Sequence, residues 1–233
     1  MTILVIILGL LPSFAWLFFY LKEDLHPEPK KLIALTFLAG ALFGFLALLV
    51  ETGLDCGYAK SQNLDCFARR NIAFTAAPFL VIAFALVEEV AKFGAAYFTV
   101  RKKSAFDEPV DAMIYTTVAA LGFAALENLG AVSQASKTLL EGNIFAVTSL
   151  RFIGATLLHA LTSALAGYYW AKSIREFGAK KFIFFGLILA ALLHTVFNYL
   201  IIIFGNPIYI IIFLAIVGFF TLNDFEKLKR RRV

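Results

Sequence analysis

The sequence predicts an all-α fold, a polytopic transmembrane helix bundle of about seven spans, with the N-terminus outside and the C-terminus cytoplasmic. Three observations predict it. Apolar runs of around 20 residues recur along the 233-residue chain, the length that crosses a hydrocarbon core of about 30 Å. Hydrophobic residues make up 61% of the chain against 16% charged, and the mean hydropathy is +0.84. Most of the 21 lysines and arginines gather in short clusters between alternate apolar runs, which is where membrane topology puts them. Little chain is left for a soluble domain, so a single integral membrane domain is expected over residues 1–233. The clustering also argues against nucleic acid as the partner of the +5 net charge, because phosphate contacts call for basic residues gathered on one face.

The first span runs from Thr2 to Leu21 and reads as a retained helix, since it lacks a basic n-region and a small-x-small cleavage site. Lys22 to Lys31 is a charged loop in which the prolines of His26-Pro27-Glu28-Pro29 oppose a helix. Leu32 to Val50 is the second span, and Glu51 to Arg70 is a polar loop that holds both cysteines, Cys56 and Cys66. In the predicted orientation that loop is external. A disulfide forms there in an oxidising compartment, and two free thiols are the alternative. The third span, Asn71 to Val100, ends at Arg101-Lys102-Lys103. Val110 to Val132 is the fourth, Ile144 to Ala171 the fifth, Phe182 to Phe204 the sixth, and Pro207 to Leu222 the seventh, entered through the Gly205-Asn206-Pro207 turn.

The basic clusters at Lys22 to Lys31, Arg101 to Lys103, Lys172 to Lys181 and Lys227 to Arg232 all fall on the side predicted to be cytoplasmic. The opposite side holds only Lys60, Arg69, Arg70, Lys137 and Arg151. The tail Lys227-Leu228-Lys229-Arg230-Arg231-Arg232 reads as a solvated end, with attraction to anionic lipid as a secondary role.

Inside the third span, Phe84 to Phe93 (FALVEEVAKF) sets Glu88, Glu89 and Lys92 among apolar residues. A charge near a bilayer centre costs roughly 2.5–3.5 kcal/mol on insertion scales, so such residues face the protein interior and mark a functional site. Three other spans carry polar groups at the same four-residue interval: Phe123 with Glu127, His159 with Ser163, and His194 with Asn198. Residues four apart lie on one helix face, and all four motifs fall within about two turns of mid-helix. Four helices therefore offer polar groups at overlapping depth, which is what holding water inside a membrane requires.

The residue types suit hydrolysis. A carboxylate takes a proton from water, a histidine shuttles it or binds a metal, and an amide such as Asn198 donates to a developing oxyanion. Taken singly, each residue also has a plain structural role. Glu88 and Lys92 have the spacing of a helix ion pair, a buried histidine commonly serves a core hydrogen bond, Ser163 can bond back to its own helix, and Phe123 packs. His26, Asp107, Glu108 and Glu141 read as solvated loop residues. Taken together, three intramembrane glutamates and two histidines exceed what a purely structural core needs. Adjacent helix positions lie about 100° apart. The expectation is therefore that Glu89 and Glu127 face His194 while Glu88 turns away to pair with Lys92.

In order along the chain, Glu88-Glu89-x-x-Lys92, Phe123-x-x-x-Glu127, His159-x-x-x-Ser163 and His194-x-x-x-Asn198 resemble the motif series of the PrsW family of intramembrane proteases. That family is similar in design to CaaX-type membrane endopeptidases. The HPEP loop, the Pro109-Val110-Asp111 run and the Glu127-Asn128 pair also look like it. The resemblance covers the chain from about Leu25 to Tyr199. It implies a multi-pass protein of the bacterial inner membrane that cleaves a single-span membrane substrate, with the first cut of an anti-sigma-factor-like regulator as the expected role. It carries over Glu88, Glu89, Glu127, His159 and His194 as catalytic candidates, with Lys92, Ser163 and Asn198 in support. Lys92 and Glu127 stand where the CaaX branch looks to have Arg and His, which weakens a prenyl-protein substrate.

Two mechanisms fit the residues. In one, His159, His194 and a carboxylate hold zinc, with another glutamate as base. In the other, no metal is bound, a glutamate activates water directly, and His194 and Asn198 stabilise the oxyanion. The absence of HExxH tips the reading toward the second. Competing functions are a proton-coupled transporter, built on the same ionisable residues, and a haem protein with His159 and His194 as axial ligands. Oligomeric state is not legible in the sequence.

Overall fold

The computed structural model describes residues 2–23, 26–66, 77–137, 142–176 and 178–230. These residues form helices and connecting loops, with no strand among them. The helices are α1 (Thr2–Tyr20), α2 (Lys30–Ser61), α3 (Pro78–Val100), α4 (Asp111–Ala135), α5 (Gly142–Ile153), α6 (Ala155–Arg175), α7 (Lys181–Tyr199) and α8 (Pro207–Arg230). A short 3₁₀ turn extends α1, and a π turn at Leu200–Phe204 extends α7. Six helical segments are long and apolar enough to cross a membrane, with α5 and α6 together making one of them. The further segment is α3, which carries the Glu88, Glu89 and Lys92 charges.

α4 is the axis of the bundle, and every residue from Asp111 to Ala125 on it is buried. α1, α2 and α6 pack around it, α3 lies against α2 and α7, and α8 rests on α6 at the periphery. Lipid gives apolar side chains no reason to leave it, so close packing of small residues holds such helices together. At the α2–α4 crossing the backbones touch. A Cβ on Gly40 would sit 1.9 Å from the Ala119 carbonyl oxygen, and one on Gly122 would sit 1.9 Å from that of Phe37. Gly122→Ala must therefore push the two helices apart, and we expect it to destabilise the bundle by about 1–3 kcal/mol, read as a lower melting temperature in detergent. Outward faces display Leu38, Phe98, Phe184 and Phe219, the surface a bilayer covers.

Three spans differ from the sequence expectation. The second does not stop at Val50 but continues as helix to Ser61, because Glu51 and Asp55 are polar without being helix breakers; the chain turns only at Asn63, where φ is +57°. The fifth is two helices, broken at Gly154, where a Cβ would lie 2.5 Å from the Leu150 carbonyl oxygen. The seventh runs on to Arg230, so much of the basic tail is helical rather than a free end. Pro78 opens α3 in its first turn, where a missing N–H is harmless. The expected start of that span at residues 71–76, along with Arg69, Arg70, Glu141, Arg231 and Arg232, lies outside the described residues.

Cys56 on α2 is joined to Cys66 by a disulfide. At the other end of the bundle, residues expected to be solvated are paired. His26 Nδ1 lies 2.8 Å from Glu108 Oε1. The backbone N–H groups of Asp107 and Glu108 donate to Asp111 Oδ2 at 2.9 and 2.7 Å. The Tyr115 hydroxyl donates to Glu28. The prolines of the HPEP loop turn it back over the first turns of α4, so the two loops grip each other.

Candidate active site

α3, α4, α5, α6 and α7 converge on one buried polar cluster. Glu89 lies deep within it, at 1% exposure. Its Oε1 accepts hydrogen bonds from Lys92 Nζ at 2.7 Å and Thr162 Oγ1 at 3.0 Å, and lies 2.9 Å from His194 Nδ1. An oxygen collecting that many donors fixes the His194 tautomer: Nδ1 carries the proton and Nε2 presents a lone pair. Lys92 Nζ also donates to His159 Nδ1 at 2.8 Å, so the proton of that ring sits on Nε2, 3.0 Å from Glu127 Oε2. Arg151 Nη2 bonds the same Glu127 oxygen at 2.9 Å and donates through Nε to Asn128, whose amide nitrogen reaches Thr156 at 3.0 Å.

Glu88 sits differently, on the wall of a cavity. Its Oε2, like that of Glu89, is buried without a hydrogen-bond partner. It lies 3.7 Å from His194 Nε2, 3.8 Å from His159 Nδ1 and 4.0 Å from Lys92 Nζ. A cavity of about 540 Å³ opens onto it, lined also by Glu127, Arg151, His159, His194 and Asn198. Glu89 does not line that cavity. A second cavity of about 490 Å³ shares Arg151, Ala155, Phe197 and Ile201 with the first and continues past Gly154 to Pro207 and Ile210. The helix break at Gly154 and the π turn after Tyr199 both contribute to the lining of this passage. π turns commonly mark functional positions in helices.

Glu89 faces His194, as the spacing predicts, and Glu88 pairs with Lys92 as expected, at 4.0 Å. The closer Lys92 contact is nevertheless to Glu89, at 2.7 Å, and Glu127 meets His159 rather than His194. Both adjacent glutamates reach the cluster. They can do so because Lys92 rises between them, one turn along α3, and because His194 meets Glu89 through Nδ1 and Glu88 through Nε2, on opposite edges of its ring. Phe123 packs as expected, edging the His159 ring and lying under Lys92. Ser163 makes no helix back-bond, and its buried hydroxyl has no partner.

Sequence reading missed Arg151, Thr156 and Thr162, counting Arg151 as an outer-side charge. An arginine inside a predicted span was the available signal. Glu51 was placed in a loop, yet it stands on α2 within electrostatic reach of Glu127 and Lys92.

The profile of the PrsW family intramembrane metalloprotease matches residues 28–222. The chain belongs to the PrsW family. A "Protease PrsW" of Geobacillus kaustophilus (strain HTA426) is 30% identical over 198 residues, covering 82% of this chain and 77% of that protein. A "Protease PrsW" of Bacillus subtilis (strain 168) is 25% identical over 225 residues, covering 94% and 93%. No solved structure matches. Membership makes this PrsW-family chain a membrane-embedded protease.

The family is described as metalloproteases, and one oxygen or nitrogen from each of Glu88, His159 and His194 falls within 4.8 Å of the others. Zinc ligands at about 2.0–2.2 Å stand roughly 3.5 Å apart around the ion. The Glu88 separations of 3.7 and 3.8 Å are close to that, and its partnerless oxygen is the kind of donor a cation satisfies. Behind the histidines, Glu89 and Glu127 accept the second ring N–H of His194 and His159, an arrangement that orients metal-binding imidazoles. These residues fit a metal, provided that Lys92 releases His159 Nδ1. The same packing leaves no slot for a haem, since Glu88 and Lys92 occupy the space between the rings.

Proposed function

We propose that this chain is an intramembrane endopeptidase whose reaction centre is Glu88, His159 and His194, and that it works as a single domain over residues 1–233. The observation that carries the reading is that Glu88, unlike Glu89, lines the cavity, with its Oε2 close to a ring nitrogen of each histidine. Glu88, His159 and His194 would hold zinc, which supplies Lewis-acid polarisation of water and of the scissile carbonyl.

The protein's own groups perform the remaining steps. Glu127, with its side chain 32% exposed on the same cavity, takes the proton of the attacking water, and Arg151 holds that carboxylate in place. The Asn198 amide on the cavity wall donates to the oxygen of the tetrahedral adduct. Glu127, once protonated, hands that proton to the leaving amine, while the His159 Nε2–H stays bonded to it and keeps it in place. Glu89 and Thr162 only position, because every donor around Glu89 Oε1 is already committed.

A second reading rests on the Lys92 to His159 Nδ1 hydrogen bond, which occupies a lone pair the metal would need. Here Glu88 activates water directly and His194 with Asn198 stabilises the oxyanion. In proteoliposomes carrying a panel of single-span substrates, a chelator separates the two: lost cleavage that Zn²⁺ restores supports the first, and unchanged cleavage supports the second.

The substrate is a single-span membrane protein, with an anti-sigma-factor-like regulator as the expected client from the resemblance. Its backbone approaches the cluster through the passage between Gly154 and the π turn. Charge clustering supports the N-terminus outside and the C-terminus in the cytoplasm. The bacterial relatives support a bacterial inner membrane as the location.

A further inference from the structure

A second groove, of about 510 Å³, lies between α6, α7 and α8, away from the reaction centre. Its walls are apolar, built from Leu165, Leu189, Leu193, Phe213, Ile216 and Phe220. Its mouth is polar, framed by Tyr168, Tyr169, Lys172, Asp224 and Lys227. The mouth sits where α6 and α8 end, at the basic end of the bundle. From Phe213 to Phe220 the apolar wall runs about 10 Å along α8.

The charges at the mouth do not cancel. Lys227 Nζ pairs with Asp224 Oδ1 at 2.7 Å. Lys172 Nζ lies 4.8 Å from the centre of the Phe182 ring and pairs with no carboxylate among the described residues. One positive charge is left over, beside two tyrosines, above an apolar slot. A transmembrane helix about 10–12 Å across is too wide for a slot of this volume; a hydrocarbon chain is not.

We propose that this groove binds one anionic phospholipid, with its phosphate at Lys172 and Lys227 and an acyl chain between α7 and α8. Basic pockets between helices at the cytoplasmic face are suited to such headgroups. The lipid would fill the gap that separates α8 from its neighbours. α8 also walls the passage to the polar cluster, through Pro207 and Ile210, so the lipid would set where that wall stands. The proposal does not depend on the chemistry at Glu88.

The test is native mass spectrometry of the full chain extracted from phosphatidylcholine membranes doped with phosphatidylglycerol. Wild type is expected to retain one phosphatidylglycerol in preference to phosphatidylcholine. Lys172→Ala with Lys227→Ala should lower that preference by roughly fivefold per lysine, and Lys172→Arg with Lys227→Arg should keep it. Leu189→Trp fills the slot, leaves both charges, and should lose the adduct. Lys102→Ala with Lys103→Ala removes interfacial charge elsewhere and should change nothing. Equal retention of both lipids by wild type, or equal loss in the Lys102 and Lys103 control, would overturn the proposal in favour of bulk lipid.

Discussion

Glu88→Gln is expected to lower proteolysis by at least about 10²-fold, because Glu88 would hold the zinc in the first reading and is the general base in the second, while leaving the bundle at least as stable as wild type. The two halves of that expectation have one cause. The Glu88 Oε2 atom is buried yet accepts no hydrogen bond, so the folded state carries a poorly satisfied carboxylate that its fold does not need. Functional sites often hold such groups against stability. Glu89→Gln provides the contrast. The Glu89 Oε2 is partnerless too, but its Oε1 gathers Lys92, Thr162 and His194, so neutralising the side chain loosens three helices and lowers the melting temperature as well as the activity. Rates in proteoliposomes and melting curves on the same preparations decide it. If Glu88→Gln unfolds and Glu89→Gln does not, the roles given to the two glutamates are reversed.

Much of this arrangement was legible in the sequence because ionisable residues in lipid have so few reasons to exist. Four motifs at four-residue spacing named α3, α4, α6 and α7 as the site helices, and the cluster contains all of them. The pairing within it was legible only in part. A period of 3.6 residues says that Glu88 and Glu89 point in different directions, but not that Lys92 can stand between two carboxylates and a histidine. Arg151 was missed for a related reason. Its role depends on the break at Gly154, which swings α5 so that the guanidinium reaches Glu127 and Asn128. Nothing local separates that glycine from one buried in a continuous helix. The end of α2 was misjudged because polarity was taken for a boundary, although Glu51 and Asp55 belong to a helix that outlasts its apolar part.

Lys92→Leu should be the most destabilising single change in the cluster, by about 3–5 kcal/mol, the range for breaking a buried ion pair from one side. Lys92 is fully buried. Its ammonium bonds Glu89 at 2.7 Å and His159 at 2.8 Å and lies 5.3 Å from the centre of the Phe123 ring. Removing it leaves the Glu89 carboxylate in a nonpolar setting with only neutral donors, and leaves the His159 Nδ1 lone pair without its donor. A buried ion pair implies more than a low melting temperature. Replacing a buried ion pair on both sides by apolar groups is often close to neutral, so Lys92→Leu with Glu89→Leu should be less damaging than the sum of the single changes. The coupling between neighbours in one network is typically 0.5–3 kcal/mol. Unfolding all four proteins in mixed detergent micelles completes the cycle. Additive losses would mean that Lys92 stabilises the bundle by filling space beside Phe123 rather than by charge. A coupling in the expected range means that the cation holds Glu89, and through it His194, in the geometry that leaves Glu88 open.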